Sequence, residues 1–271
     1  MEKIFVDGFF TIARQHRVCQ DYAIAAAEPL PLLALSDGCS SSPDTDIGSR
    51  LLVKSAEKVI RSTTPASTSS LPTYQELGSA ILANAVAAAE CLALRRSALD
   101  ATLLLAFAHS DAVTVMMYGD GYLAAMRKDG SLEYISVSYN DNMPYYLNYW
   151  TDEPRKRQYL AESHNGKEVV SITTYSGQQQ ETRRADYDAP LVWTFPASDY
   201  RLVALCSDGV TAFSSIETGQ IAPVNQILEG LLTFKTTAGE FVTRRAKRLL
   251  KELDKQNIFP ADDLSVAAML W

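Results

Sequence analysis

The sequence has few cysteines and no long apolar segment. Its four cysteines, Cys19, Cys39, Cys91 and Cys206, include no CxxC pair, and four in 271 residues are too few for a disulfide framework. No apolar window approaches the roughly 18 residues that cross a bilayer. Residues 1–7 carry acids within a short apolar stretch, unlike a signal peptide. We therefore expect a cytoplasmic protein with reduced thiols and no membrane partner.

Basic residues are also fewer than acidic residues. The 25 lysines and arginines are outnumbered by 32 aspartates and glutamates, which gives a formal net charge of −7. Binding to nucleic acid depends on many phosphate contacts by basic side chains, so this balance argues against a nucleic-acid partner. One basic cluster, Arg244-Arg245-Ala246-Lys247-Arg248, falls on a predicted helix, where a solvated face is its favoured interpretation.

Apolar runs bounded by Gly and Asp predict strands, and several are continuous, as in strands covered on both faces. The predicted strands are 4–12, 23–27, 32–36, 102–108, 113–118, 122–127, 132–137, 201–206 and 264–270. Apolar residues at helical spacing predict three helices, within 47–60, 77–92 and 242–253. This order predicts an α+β protein with sheets packed between helical layers.

Two segments lack these patterns. Residues 62–73 are rich in Ser, Thr and Pro and predict a connection between the first two helices. Residues 139–196 are polar, irregular and long, which indicates a flap or small elements that periodicity does not resolve. Neither resembles a domain linker, because acidic segments lie on both sides. We expect one domain over 1–271 with a flap region around 139–196.

Five short acidic segments are spread along the whole chain. They are Gln20-Asp21-Tyr22, Ser36-Asp37-Gly38, Gly119-Asp120-Gly121, Ser207-Asp208-Gly209 and Asp262-Asp263-Leu264. At least three directly follow an apolar run, where a carboxylate is costly unless a cation or hydrogen bonds compensate it. The set predicts one hard-cation site, for which Mg²⁺ and Mn²⁺ are the oxygen-preferring candidates.

A single Asp-Gly pair is weak evidence, because it is also a strong turn signal. Asp129-Gly130, between two predicted strands, is interpreted as a hairpin turn without chemistry. At Asp37 and Asp208 we expect the following glycine to allow a sharp turn that brings a carbonyl near the cation. The metal hypothesis therefore depends on the whole ordered set of acidic segments.

That order resembles the metal-dependent protein phosphatases of type 2C, the PPM family. The resemblance spans residues 20 to 266. The form Asp-Ile-Gly-Ser-Arg-Leu and the Gly-Asp-Gly motif look most like a divergent bacterial branch. The matching pieces are Cys19-Gln20-Asp21, Leu35-Ser36-Asp37-Gly38, Asp46-Ile47-Gly48-Ser49-Arg50, Asp100-Ala101-Thr102-Leu103, Gly119-Asp120-Gly121, Cys206-Ser207-Asp208-Gly209 and Asp262-Asp263-Leu264-Ser265-Val266.

The resemblance implies two packed antiparallel β-sheets flanked by helix pairs, with two Mg²⁺ or Mn²⁺ ions in the cleft between the sheets. It implies that Asp37 bridges both metals and that the Gly38 carbonyl binds one of them. Asp208 and Asp262 complete the other shell. Asp263 stands where the family often has Asn and ranks below Asp262. Outside this set, the resemblance also implies that Asp21 acts mainly through metal-bound water and that Asp120 helps to hold a third, weaker metal.

The implied activity is hydrolysis of phosphoserine or phosphothreonine in proteins, by attack of metal-bound hydroxide on phosphorus. Its partners would be a phosphorylated protein substrate and a partner kinase. Two alternatives stay open: a catalytically weak, phosphatase-like binding or regulatory module, and a hydrolase of a small phosphorylated metabolite. No cysteine-phosphatase loop, Ser-His-Asp pattern or P-loop spacing points elsewhere.

Some positions depart from the family pattern. Many members have a phosphate-gripping Arg five residues before the position of Asp21, where this chain has His16 followed by Arg17. Either residue could meet the phosphate, since a one-residue shift on a strand reverses the side chain's face. His16 could also donate a proton to the leaving oxygen or be a structural histidine.

Two further features near the motifs leave alternatives open. Cys39 directly follows Asp37-Gly38 and would therefore lie beside the implied metal ions, which raises the hypothesis that its thiol is sensitive to oxidation. The alternative is that this cysteine simply fills a small buried position. The aromatic residues within 143–150 could form a partner surface or pack the flap onto the body.

Overall fold

Two antiparallel sheets pack face to face, and a helix pair covers the outer face of each. The computed structural model describes residues 3–63 and 72–271. The helices are α1 (Thr45–Thr63), α2 (Tyr74–Cys91), α3 (Glu153–Glu162), α4 (Val224–Leu232) and α5 (Phe241–Asp254). The strands are β1 (Phe5–Thr11), β2 (Tyr22–Ala26), β3 (Leu32–Ser36), β4 (Leu103–His109), β5 (Ala112–Tyr118), β6 (Gly121–Arg127), β7 (Leu132–Tyr139), β8 (Val170–Ser176), β9 (Gln179–Ala185), β10 (Leu191–Pro196), β11 (Tyr200–Cys206), β12 (Phe213–Ser215), β13 (Ile258–Pro260) and β14 (Leu264–Leu270).

The larger sheet has seven strands in the order β1-β14-β11-β6-β7-β8-β9, and the smaller has five in the order β10-β5-β4-β3-β2. All neighbouring strands run antiparallel. A separate pair, β12 and β13, lies beside the larger sheet's helices. The α+β fold class and the predicted pair of sheets between helical layers are therefore confirmed.

Three apolar layers hold these elements together. Along β3, Leu33 and Leu35 join the core between the sheets, whereas Leu32 and Ala34 face α1 and α2. A third layer lies between the larger sheet and the pair α4 and α5. Since β3 is buried on both faces, its sequence is a continuous apolar run instead of an alternating one.

The helices begin and end where local chemistry favours it. Thr73 caps α2, where its hydroxyl accepts from the backbone N–H of Glu76 and the Glu76 carboxylate accepts from the backbone N–H of Thr73. Asp152 caps α3 through the N–H of Arg155. Among the described residues, no helix is both long and apolar enough to cross a membrane.

The region 139–196 is more ordered than its sequence suggests. It contains α3 and the strands β8, β9 and β10, which agrees with the second interpretation, small elements that periodicity does not resolve. Strand β9 is an exposed edge strand with the polar sequence QQETRRA, which offers no apolar alternation to detect. Helix α4 was also missed. Of the predicted connection 62–73, residues 64–71 lie outside the described residues.

The turn predicted at Asp129-Gly130 is confirmed. It joins β6 to β7, and the N–H of Gly130 donates to the carbonyl of Arg127 at 3.0 Å. Gly130 has φ of 93°, a left-handed conformation that favours glycine. The Asp129 carboxylate accepts hydrogen bonds from the N–H and the hydroxyl of Ser131, within the same turn.

Candidate metal centre

The five acidic segments all lie where a strand ends or begins. Asp21 directly precedes β2 and Asp37 directly follows β3, and these strands pair with Tyr22 opposite Ser36. Asp208 lies two residues after β11, which pairs with β14 through Cys206 and Val266. The fold therefore brings carboxylates from distant parts of the chain to the same end of the sandwich.

Asp120 occupies the crossing from one sheet to the other. Its neighbours Gly119 and Gly121 have φ of 104° and 136°, and β5 and β6, on either side, belong to different sheets. A Cβ at Gly121 would lie 2.9 Å from a Leu104 methyl group. Glycine is required on both sides of Asp120 because the chain turns in a left-handed conformation within a packed interior.

The glycines after Asp37 and Asp208 have a different reason. Neither has a positive φ, so the left-handed conformation is not what requires glycine here. A Cβ at Gly38 would lie 2.8 Å from the Thr45 carbonyl oxygen, and one at Gly209 would lie 1.9 Å from the Asp263 carbonyl oxygen. These glycines let two backbones approach closely, which fixes each aspartate against a neighbouring segment.

These residues surround one polar cleft of about 360 Å³. Its lining includes most of the predicted site residues and several that the sequence did not indicate. The residues are His16, Gln20, Asp37, Gly38, Cys39, Ser40, Ser41, Thr102, Asp120, Asn142, Pro144, Tyr146, Asp208, Ala261, Asp262 and Asp263. Gln20 and Thr102 lie within the quoted motifs and Tyr146 within the aromatic segment 143–150, but nothing in the sequence singled out Asn142.

Hydrogen bonds hold the carboxylates' backbone in place. The N–H of Asp37 donates to the Thr102 hydroxyl at 3.0 Å, and the N–H of Thr102 donates to the Asp37 carbonyl at 2.8 Å. The Ser207 hydroxyl donates to Asp21 Oδ2 at 2.7 Å, which joins the two sheets across the core. Thr102 therefore holds the backbone of Asp37, and Ser207 holds the carboxylate of Asp21.

The carboxylates strongly affect one another. Burial and then the charges of Asp21, Asp208 and Asp120 raise the pKa of Asp37 well above its usual range. Burial raises the pKa of Asp21 to about 7. Burial, followed by the charge of Asp208, raises the pKa of Asp120 to about 7 and also raises the pKa of Asp262. The raised pKa values indicate that the negative charge of these carboxylates is not balanced by nearby positive charge.

The residues present fit a hard cation. Asp208 Oδ1 is buried and, among the described residues, has no hydrogen-bond partner, a costly state for a carboxylate oxygen. The carboxylates of Asp37, Asp120, Asp208 and Asp262 offer oxygen, the donor that Mg²⁺ and Mn²⁺ prefer. Within 3–63 and 72–271, no three His, Cys, Asp or Glu side chains already form a compact metal-holding group. The fit therefore depends on the unpaired oxygen, the donor type and the crowded charge.

Asp262 and Asp263 have different surroundings. Asp263 is 2% exposed and accepts hydrogen bonds from the N–H groups of Ala13 and Gln20, each at 2.7 Å, and from His16 Nδ1 at 2.9 Å. The Asp262 side chain is 49% exposed and lines the cleft. This difference agrees with the ranking of Asp262 above Asp263 as a candidate ligand.

His16 and Arg17 lie in the segment that follows β1. This segment is not a strand, so the argument from strand alternation does not apply to these two residues. His16 lines the cleft and is 27% exposed, held by Asp263. Arg17 is exposed and is not among the residues that line the cleft, so its contact with phosphate stays a prediction.

The thiols and the flap aromatics also have defined places. Burial raises the pKa of Cys19 and of Cys206 to about 12, which disfavours the reactive thiolate form at these two sites. Cys39 Sγ lies 3.1 Å from the Ser41 hydroxyl at the cleft wall. Tyr145 and Tyr146 are 5% and 8% exposed. The aromatic residues therefore pack the flap onto the body, the second of the two interpretations.

Comparison with known proteins agrees with this geometry. The family model described as protein phosphatase 2C matches residues 12–253. None of the curated proteins matches the chain. The Mycobacterium tuberculosis serine/threonine phosphatase PstP/Ppp is 18% identical, with 98% of each chain covered and a TM-score of 0.55. Stp1 from Staphylococcus aureus is 14% identical, with 99% of this chain and 95% of that chain covered and a TM-score of 0.59.

A second PstP structure carries metal. It is the catalytic domain in complex with two manganese ions, 17% identical, with 98% of this chain and 97% of that chain covered and a TM-score of 0.51. At these identities the solved structures establish the shared fold. Because the family model covers most of the sequence, the chain belongs to the protein phosphatase 2C family.

Proposed function

We propose that this protein is a metal-dependent phosphomonoester hydrolase that acts on phosphoserine or phosphothreonine in proteins. The observation that carries the proposal is a polar cleft lined by Asp37, Asp120, Asp208 and Asp262. These four residues come from distant parts of the sequence. Bound cations would stabilise such a cluster, in which Asp37 has a raised pKa and Asp208 Oδ1 is buried without a partner among the described residues. The proposed catalytic domain covers 1–271, with 139–196 as its flap.

The proposed metal ligands are aspartate carboxylates and one backbone carbonyl, with Asp37 shared between two ions. Asp37 would bridge two Mg²⁺ or Mn²⁺ ions, with the Gly38 carbonyl on one and Asp208 and Asp262 on the other. Asp21 would act through water, and Asp120 would help to hold a third ion. When bound, the ions would supply hydroxide near neutral pH and neutralise charge on the phosphoryl oxygens.

His16 is the proposed proton carrier at the cleft. Its Nδ1 is held by the buried Asp263 carboxylate at 2.9 Å. This contact orients the ring and leaves Nε2 as the atom that can exchange a proton with a leaving oxygen. Asp263 is already engaged by two backbone N–H groups, so its role is to position His16.

The first test measures hydrolysis of an aryl phosphate and a phosphothreonine peptide with added Mn²⁺. We expect metal-dependent turnover that EDTA abolishes, and a loss of at least about a hundredfold in Asp37→Ala and in Asp208→Ala. Asp129→Asn, which alters an exposed hairpin carboxylate, is the matched control and should retain full activity. Wild-type rates in both cleft variants would contradict the proposal.

One observation favours the alternative of a binding or regulatory module. Among the described residues that line the cleft there is no lysine or arginine to grip phosphate. A calorimetric titration with the phosphopeptide and saturating Mn²⁺ separates the two functions. Binding without hydrolysis would identify a regulatory module, whereas turnover identifies the enzyme. The partners in either case are a phosphorylated protein and the kinase that modifies it.

A further inference from the structure

A buried carboxylate behind the cleft wall has no role in the proposed chemistry. Asp100 follows the single turn Arg96–Leu99 and is 0% exposed. Its oxygens accept hydrogen bonds from the Ser42 hydroxyl at 2.9 Å, from Asn148 Nδ2 at 2.8 Å and from the guanidinium of Arg155. A fully buried charge with three donors indicates a defined structural task.

The donors to Asp100 come from the two segments that form the cleft wall. Ser42 lies in the loop before α1, next to Ser40 and Ser41, which line the cleft. Asn148 and Arg155 belong to the flap, whose residues Asn142, Pro144 and Tyr146 line it from the other side. A single side chain therefore joins both parts of the wall.

The backbone of Asp100 is fixed to the carboxylate cluster. Its carbonyl accepts from the N–H of Cys39 at 2.9 Å, and the next residue, Ala101, pairs with Gly38 in an isolated antiparallel bridge. The N–H of Thr102 donates to the Asp37 carbonyl at 2.8 Å. A flap residue that binds Asp100 is consequently held at a set position relative to Asp37.

On the flap side, Arg155 is well ordered by its neighbours. It lies in the first turn of α3, where Asp152 caps its N–H, and its guanidinium lies 5.7 Å from the ring centre of Tyr149. Its Nη2 makes the contact with Asp100, whereas its Nε is buried without a partner among the described residues. Arg96 also connects to the flap, because its guanidinium donates hydrogen bonds to the side chains of Asn148 and Thr151.

We propose that the Asp100–Arg155 pair is a clasp that positions the flap wall against the Asp37 segment and so determines how a polypeptide substrate is held. This inference rests on the proposed phosphatase function. A phosphopeptide must contact the wall on both sides of its phosphate, whereas a small aryl phosphate needs little more than the carboxylate cluster and its metals. Arg155 and Asp100 are therefore positioning residues that favour the larger substrate.

The test compares Arg155→Met with Arg157→Met, a change of an exposed arginine on the same helix. In Arg155→Met we expect about a tenfold fall in kcat/KM for a phosphothreonine peptide, mainly through KM, with less than about a threefold change for an aryl phosphate. Arg157→Met should leave both unchanged. An equal fall for both substrates in Arg155→Met would overturn the clasp as a substrate-positioning device.

Hydrogen exchange provides a readout that does not require catalysis. Amides within 140–151 should exchange faster in Arg155→Met than in the wild type and Arg157→Met, while those of β4 and β11 stay protected. Asp100→Asn should act in the same direction, and the double variant should add little to either single change. Unchanged exchange in 140–151, or fully additive effects, would overturn the proposal. If the wild type hydrolyses neither substrate, the proposed function fails, and the clasp is still judged by exchange.

Discussion

At the scale of single residues, two adjacent aspartates have opposite tasks. Asp263 is buried and satisfied by the backbone N–H groups of Ala13 and Gln20 and by His16. Asp262 faces the cleft, where burial and the charge of Asp208 raise its pKa. One carboxylate therefore stabilises the segment that follows β1, while its neighbour is available to a cation.

This contrast predicts different effects of removing each carboxylate. Asp263→Ala leaves two buried N–H groups without acceptors, so we expect a loss of about 3 kcal/mol in the free energy of unfolding. Asp262→Ala should change it by less than about 1 kcal/mol. Urea unfolding in EDTA measures both, and equal losses would contradict the assignment. In Mn²⁺, Asp262→Ala should instead lower hydrolysis.

At the scale of elements, α1 lies unusually close to the turn Arg96–Leu99. A Cβ at Gly48 would lie 1.6 Å from the carbonyl oxygen of Ala98. Gly48 is therefore required by packing between two backbones, although it costs helix stability. This contact sets α1 against the residues that lead into Asp100, and so it supports the cleft wall from behind.

Gly48→Ala should destabilise the protein by about 2–3 kcal/mol, because neither backbone can move easily. The roughly 1 kcal/mol by which alanine favours a helix is too small to offset this clash. Gly230→Ala in α4 is the matched control, since its Cβ would meet the end of the Leu249 side chain, which can rotate away. Thermal unfolding of both variants tests this, and similar melting temperatures would refute it.

At the scale of the whole molecule, the cleft couples folding to protonation. Burial raises the pKa of Asp21 and of Asp120 to about 7, far above the values of these side chains in an unfolded chain. At these two groups the folded, metal-free protein therefore binds more protons than the unfolded chain between about pH 4 and pH 7. The stability that these groups contribute is present below pH 4 and is lost as the pH rises through 7.

We therefore expect the metal-free protein to become less stable between pH 5 and pH 8, where each unit of pKa shift corresponds to about 1.4 kcal/mol. Urea unfolding in EDTA across this range gives the measurement. Asp120→Asn, which cannot ionise, should show a shallower slope than the wild type. A wild-type stability that rises steadily with pH would contradict this prediction. Added Mn²⁺ should stabilise more at pH 8 than at pH 6, since its ligands must lose protons.

Sequence patterns predicted best what depends on local burial. Strands such as β3 and β4 are apolar on both faces, so their runs stand out against Asp and Gly. Strand β9 is polar and exposed, and its place in the sheet follows from pairing with β8, which no local pattern reports. Helix α4 is only nine residues long, which leaves little periodicity to detect.

The same distinction applies to the cleft. The aspartates of the motifs were identifiable because carboxylates after buried strands are unusual. Arg155 was not, because its meeting with Asp100 depends on a contact between residues 55 positions apart and on the path of the flap. The orientation of the His16 side chain could also not be predicted from the sequence. The segment after β1 is neither helix nor strand, so no periodicity indicates which way its side chains point.

The position of β14 has a consequence for synthesis. This strand follows every other described strand in the sequence, yet it lies inside the larger sheet between β1 and β11. A nascent chain on the ribosome cannot complete that sheet, or bring Asp262 to Asp208, until residues up to 270 have left the exit tunnel. During translation the smaller sheet can form first, whereas the complete cleft can appear only after the last strand is inserted.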